Sequence, residues 1–138
     1  MSRILVVDDD PDILETLRYT FEQAGYTVES NDNGESALAH ARRRPPDLAV
    51  LDVMLPGLNG YEVSRLLKQE MRAKRIASFP ILMLTARRVD SSERMELLSS
   101  WSQADDTLWK PYDLTVLLLR VKTLLDAARE TTRAGEAS

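Results

Sequence analysis

With 138 residues, 43% of them apolar and 29% charged, the chain has the size and composition of one globular domain able to bury a core. A formal net charge of −4 gives no global pull toward nucleic acid or anionic membrane, and no apolar run nears the roughly 20 residues that span a bilayer. Zero cysteines exclude disulfides, thiolate metal sites and cysteine nucleophiles, and the single histidine, His40, excludes multi-histidine metal centres and leaves little room for a Ser-His-Asp triad.

The chain opens without a signal-peptide pattern, "MSRILVV" entering a strand directly, so a cytoplasmic location is expected. "ILVV" (4–7) reads as a buried strand, after which Ile13, Leu14, Leu17, Phe21 and Ala24 recur at helical spacing. Asp10 stands where an N-cap belongs, Pro11 where the first helical residue belongs, and Gly25 where the helix closes. "YTVES" (26–30) is the second strand, followed by a helix from about Gly34 to Arg43 that Pro45-Pro46 stops. "LAVLDVM" (48–54) is the third strand, "PGLNG" (56–60) a loop, and 61–73 the third helix.

"ILMLT" (81–85) follows as the fourth strand. A fourth helix opens near Asp90, where Asp90-x-x-Glu93 has the form of a capping box, with Met95, Leu98 and Trp101 on its apolar face. The short strand "TLW" (107–109) precedes a last helix from about Asp113 to Ala128, and "ETTRAGEAS" reads as a polar tail, frayed or opening a linker. Five strand–helix units in alternation predict the α/β class: a five-stranded parallel sheet, doubly wound with right-handed crossovers, in one domain over 1–128 with a tail over 129–138.

In such a sheet, chemistry gathers at the carboxyl ends of the strands. The first strand ends in Asp8 and Asp9, the third in Asp52, the fourth in Thr85 and the fifth in Lys110. Singly, each has a plainer reading: strand-end solvation or capping for the aspartates, a structural β-branched residue for Thr85, a surface lysine for Lys110. Together they deliver three carboxylates, a hydroxyl and an ammonium to one rim. Carboxylates so crowded call for a cation, and hard oxygen donors suit Mg²⁺, which keeps waters and bridges to phosphate. By charge alone this is a phosphoryl site.

The stretches "ILVVDDDP", "DLAVLDVMLPGLNGYEV", "ILMLTA" and "ADDTLWKPY", in this order, resemble the bacterial response-regulator receiver domain over almost the whole chain. The resemblance implies a flavodoxin-like, CheY-like (βα)5 fold and a phosphoprotein of two-component signalling. It implies transfer of a phosphoryl group from a sensor histidine kinase, or a phosphotransfer protein, to Asp52. It further implies Mg²⁺ held by Asp9, Asp52 and the backbone carbonyl of Met54, with Asp8 acting through water. Lys110 would pair with the phosphoryl oxygens and Thr85 would hydrogen-bond one of them, leaving Asp10 as a helix cap. The expected output is a switch rather than turnover: Thr85 and Lys110 move inward and the surface of the fourth and fifth units repacks.

The chain departs from that pattern in places. Thr107 stands three residues before Lys110, where many relatives carry a switch aromatic; Trp109, two residues on, shares its face by strand alternation, as a steric substitute or, the expected role, as core packing. The segment from Thr85 to Lys110 is longer than the pattern, Gln103 replaces a glycine before "ADD", and an altered or partly disordered fourth helix is expected. Met54 and Arg87, two residues past Asp52 and Thr85, flank the rim without a carboxylate or amide to orient water. In the last helix Leu114, Leu117, Leu118, Val121 and Leu125 form the core stripe, and Val116 and Leu119 fall outside it, open to a partner or to a homodimer through the fourth and fifth units.

Arg42-Arg43-Arg44 and "RAKR" (72–75) read as solvated helix ends and His40 as a surface residue, so direct nucleic-acid or membrane contact is not expected. Two rival readings stay open. A pseudo-receiver, an interaction module independent of phosphate, fits Thr107 and the unusual fourth helix. A Mg²⁺-dependent aspartyl phosphatase would need a general acid where Met54 stands, and a cap domain.

Overall fold

The computed structural model describes residues 2–86, 97–98 and 100–137. Its elements are β1 (Arg3–Val7), α1 (Pro11–Gln23), β2 (Thr27–Asn31), α2 (Gly34–Arg43), β3 (Leu48–Asp52), α3 (Gly60–Arg72), β4 (Ile81–Ala86), β5 (Asp106–Lys110) and a last helix, Leu114–Ala137. The sheet order is β2-β1-β3-β4-β5, every pairing parallel. The chain runs outward from β1 to β2, then crosses back to β3 on the other side. The topological switch point therefore lies between β1 and β3.

Strands buried on both faces must be apolar at successive positions, and β3 is buried along its whole length. Leu5, Val7, Ala49, Leu51, Ile81 and Met83 face α2 and α3, packing with Ala37, Leu38, Val63 and Leu67. Ile4, Val6, Leu48, Val50, Leu82, Leu84 and Leu108 face the other way, onto Leu17 and Phe21 of α1 and Leu117, Val121 and Leu125 of the last helix. Each of these side chains larger than alanine contributes about 1.5–3 kcal/mol by leaving water, which fixes the register of every strand.

Local chemistry sets the helix starts. Asp10 accepts the Asp12 N–H at 2.9 Å with Pro11 in the first turn. Asn33 caps α2 through the Ser36 N–H, and Asn59 with Glu62 forms a full capping box on α3. β3 stops at Asp52 rather than at Met54, because the Leu55 N–H turns back to the Val53 carbonyl at 3.0 Å.

Several expectations are corrected. The last helix continues past Ala128 to Ala137, so residues expected to fray are helical. Its Ala, Glu and Arg residues favour helix, no proline interrupts it, and Arg129 ties it to Ser2 through a 2.6 Å hydrogen bond. Leu114, assigned to the core stripe, is 39% exposed: it opens the helix, one turn before the buried Leu117. His40 is half-buried, with Nε2 3.2 Å from Glu29 Oε1, and Arg42 pairs with Glu70 at 2.8 Å. Leu98 packs on the α2–α3 core, whereas Trp101 stays 42% exposed with the Arg65 guanidinium 4.8 Å over its ring. Asp90, Glu93, Met95 and Arg87, and with them the fourth helix as expected from sequence, lie outside the described residues.

Gln103 occupies the left-handed region at φ 61°, and its side chain is exposed. An L-residue there costs about 1–2 kcal/mol, part of which glycine gives back through its freer unfolded chain. Gln103→Gly is expected to raise unfolding stability by about 0.5–1 kcal/mol in urea titration, against no gain if the turn carries no strain.

Candidate functional site

Parallel pairing aligns the strand ends on one rim. Val7 lies beside Leu51, Asp52 beside Leu84 and Ala86 beside Lys110, so residues at the ends of β1, β3, β4 and β5 emerge together. Carboxylate oxygens of Asp8, Asp9 and Asp52 all lie within 4.8 Å of one another. Asp8 and Asp52 are 1% and 5% exposed, while Asp9 faces solvent. Lys110 Nζ donates to Asp52 Oδ1 at 3.1 Å and stands 3.9 Å from Asp8 Oδ2. Among the described residues, the rim sets these three carboxylates against the Lys110 ammonium.

The two oxygens of Asp8 have different surroundings. Oδ1 accepts the Asp10 N–H at 2.9 Å, which joins the rim to the capped start of α1. Oδ2 is buried and, among the described residues, has no hydrogen-bond partner. Burial raises the Asp8 carboxyl from its ordinary 3.8 to about 6; the Asp10 N–H pulls it down, Asp52 pushes it up, Lys110 pulls it down and Asp9 pushes it up. A buried carboxylate oxygen without a donor is costly as it stands. An all-oxygen set with one such atom fits a hard divalent cation.

Thr85 is 2% exposed and pairs in register with Trp109, while Thr107 pairs with Met83. Trp109 is half-buried. The Met54 side chain is 57% exposed. Sequence reasoning missed Tyr112: burial and the charges of Asp8 and Asp52 raise its phenol, which puts the ring beside the acidic rim. It stands two residues after Lys110, across a cis Pro111, in the quoted stretch "ADDTLWKPY".

Comparison with known proteins gives a consistent result. A family model described as the response regulator receiver domain matches residues 4–122. The chain is 43% identical over 124 residues to the alkaline phosphatase synthesis transcriptional regulatory protein PhoP of Bacillus subtilis, covering 90% of this chain and 48% of that protein. It is 47% identical over 124 residues to the response regulator MprA of Mycobacterium ulcerans, covering 89% and 50%. The signal receiver domain of a signal transduction histidine kinase from Syntrophus aciditrophicus superposes with a TM-score of 0.82 at 33% identity, covering 92% of each chain. The chain spans about half the length of the curated relatives it matches. Among the described residues, no helix is long and apolar enough to cross a membrane. A match over residues 4–122, on a sheet whose strand ends converge as that fold requires, settles the family: this chain belongs to the response-regulator receiver domains of two-component signalling.

Proposed function

We propose that this receiver domain is a phosphorylation switch in which Asp52 takes a phosphoryl group from the phosphohistidine of a sensor kinase or phosphotransfer protein. The observation that carries the reading is the Lys110 ammonium 3.1 Å from a carboxylate that is 5% exposed, within a cluster of three carboxylates. An Asp52 oxygen attacks phosphorus, the P–N bond to the donor histidine breaks, and the electron pair returns to the imidazole. Two anions must meet in that step, so alignment and charge neutralisation matter more than proton transfer.

Asp9, Asp52 and the Met54 carbonyl would hold Mg²⁺, with Asp8 contributing through water. The bound ion supplies positive charge for the transferring group. Lys110 adds a second, fixed positive charge against the phosphoryl oxygens, and the Thr85 hydroxyl donates to one of them. Thr85 is next to last in β4 and Lys110 last in β5, so their movement carries the signal to the surface of the fourth and fifth units. Exposed Val116 and Leu119, at 39% and 62%, support a homodimer or partner contact there. The rim stores the phosphoryl group and does not turn over a substrate.

Incubation of the chain with acetyl phosphate, which loses acetate to the same nucleophile, tests the reading. Intact mass should show one phosphoryl adduct when Mg²⁺ is present and none with a chelator, accompanied by a change in tryptophan emission. Thr107, at the switch-aromatic position, favours the second reading, a phosphate-independent interaction module. The absence of an adduct in all conditions would favour that module.

A further inference from the structure

Away from the rim, the first turn of α2 grips the loop between β3 and α3. Glu35 is the second residue of α2, and its Oε1 accepts the Leu58 N–H at 3.0 Å, across 23 residues of sequence. The same carboxylate lies over Gly57, φ 69°, where an added Cβ would stand 2.3 Å from Oε1. Gly34, next to Glu35, packs on the loop so closely that a Cβ there would stand 2.2 Å from the Leu58 carbonyl. The backbone of Leu58 is therefore engaged on both its N–H and its C=O sides by α2.

The loop's own bonds hold its ends. Leu55 and Gly60 both donate to the Val53 carbonyl at 3.0 Å, and Asn59 N–H is held by Glu62 at 3.1 Å. Met54 lies inside this turn, and among the described residues no backbone hydrogen bond ends on its carbonyl. A carbonyl left out of the internal ladder can serve a ligand, and it serves best where the loop is held still.

We propose that Glu35 is a positioning residue for the metal site: its carboxylate fixes Leu58 and Gly57 and, through them, sets the Met54 carbonyl relative to Asp52. The inference rests on the metal reading given above. A plain role for Glu35, an acid in the first turn favoured by the helix dipole, affects stability and not metal affinity.

Mg²⁺ titration into the full chain, followed by amide NMR, separates the two, with hydrogen exchange at Leu58 read on the same samples. Glu35→Ala is expected to speed Leu58 exchange and weaken Mg²⁺ binding about fivefold, the worth of one such hydrogen bond. Glu35→Gln keeps the acceptor oxygen and should restore both readings, while Glu35→Asp, one methylene short, should behave like the alanine variant. Because Glu35 is exposed, these variants retain the fold. An alanine variant that frees the Leu58 amide yet binds Mg²⁺ as the wild type does overturns the proposal, as does one that loses affinity with Leu58 still protected. Absence of Mg²⁺ binding in the wild type would strike the metal reading itself, and this inference with it.

Discussion

Asp52→Asn is expected to remove the phosphoryl adduct entirely while leaving the fold in place. The amide is isosteric with the carboxylate and keeps an oxygen that can accept from Lys110 Nζ, now 3.1 Å from Asp52 Oδ1. It has no carboxylate lone pair to form an acyl phosphate, so intact mass after acetyl phosphate and Mg²⁺ should match the untreated chain. A second consequence follows from electrostatics. Asp52 is one of the charges that raise Asp8, and Lys110, 3.9 Å from Asp8 Oδ2, loses its ionised partner in the variant. Asp8 should therefore titrate below its wild-type value of about 6, as read by carboxyl NMR. An adduct that survives Asp52→Asn would move the phosphoacceptor to Asp8 or Asp9.

Asp8→Asn is expected to stabilise the metal-free protein at neutral pH and to weaken its hold on Mg²⁺. Asp8 is raised from 3.8 to about 6 in the fold, so between those values the native state binds more protons than the unfolded chain. Stability then falls as pH rises from about 4 through 6, and above that the ionised, buried group costs about 2–3 kcal/mol. Asparagine retains an oxygen for the Asp10 N–H, 2.9 Å away in the wild type, and removes the charge. Urea titrations across pH 4 to 8 should show the wild-type slope vanish in the variant. Divalent binding runs the other way, since only the ionised carboxylate serves the cation: Mg²⁺ affinity in the wild type should drop below pH 6, with proton release on binding. A variant as pH-dependent as the wild type would assign the slope to another group.

The alternation of strands and helices is written locally. "ILVV", "LAVLD" and "ILMLT" are continuous apolar runs because both faces of those strands are covered, and Asp10-Pro11 announces the start of α1 whatever surrounds it. The rim was legible for the same reason: a polar residue closing an apolar strand is visible in one line of sequence, and parallel order brings such ends together. The α3 capping box, Asn59-x-x-Glu62, was equally local and went unread because the sequence reading placed its N-cap inside a loop.

Other features depend on contacts between distant residues. Trp101 looked like core by periodicity, yet Arg65, 36 residues earlier, donates to its carbonyl and lies over its ring. Leu114 matches the helical stripe but, as the first residue of its helix, is 39% exposed. The burial of the Asp8 oxygen, the Tyr112 ring beside the carboxylates and the Glu35–Leu58 bond were not visible in the sequence for this reason. The sequence by itself determined which residues form strands, where helices begin and which polar groups end the strands, since hydrophobic period and capping act over a few neighbours. Tertiary structure alone decided how deeply Asp8 is buried, that Lys110 meets Asp52 across 58 residues and which loop Glu35 holds. Desolvation and charge are set by the groups that folding brings within a few ångströms, and sequence distance does not encode that separation.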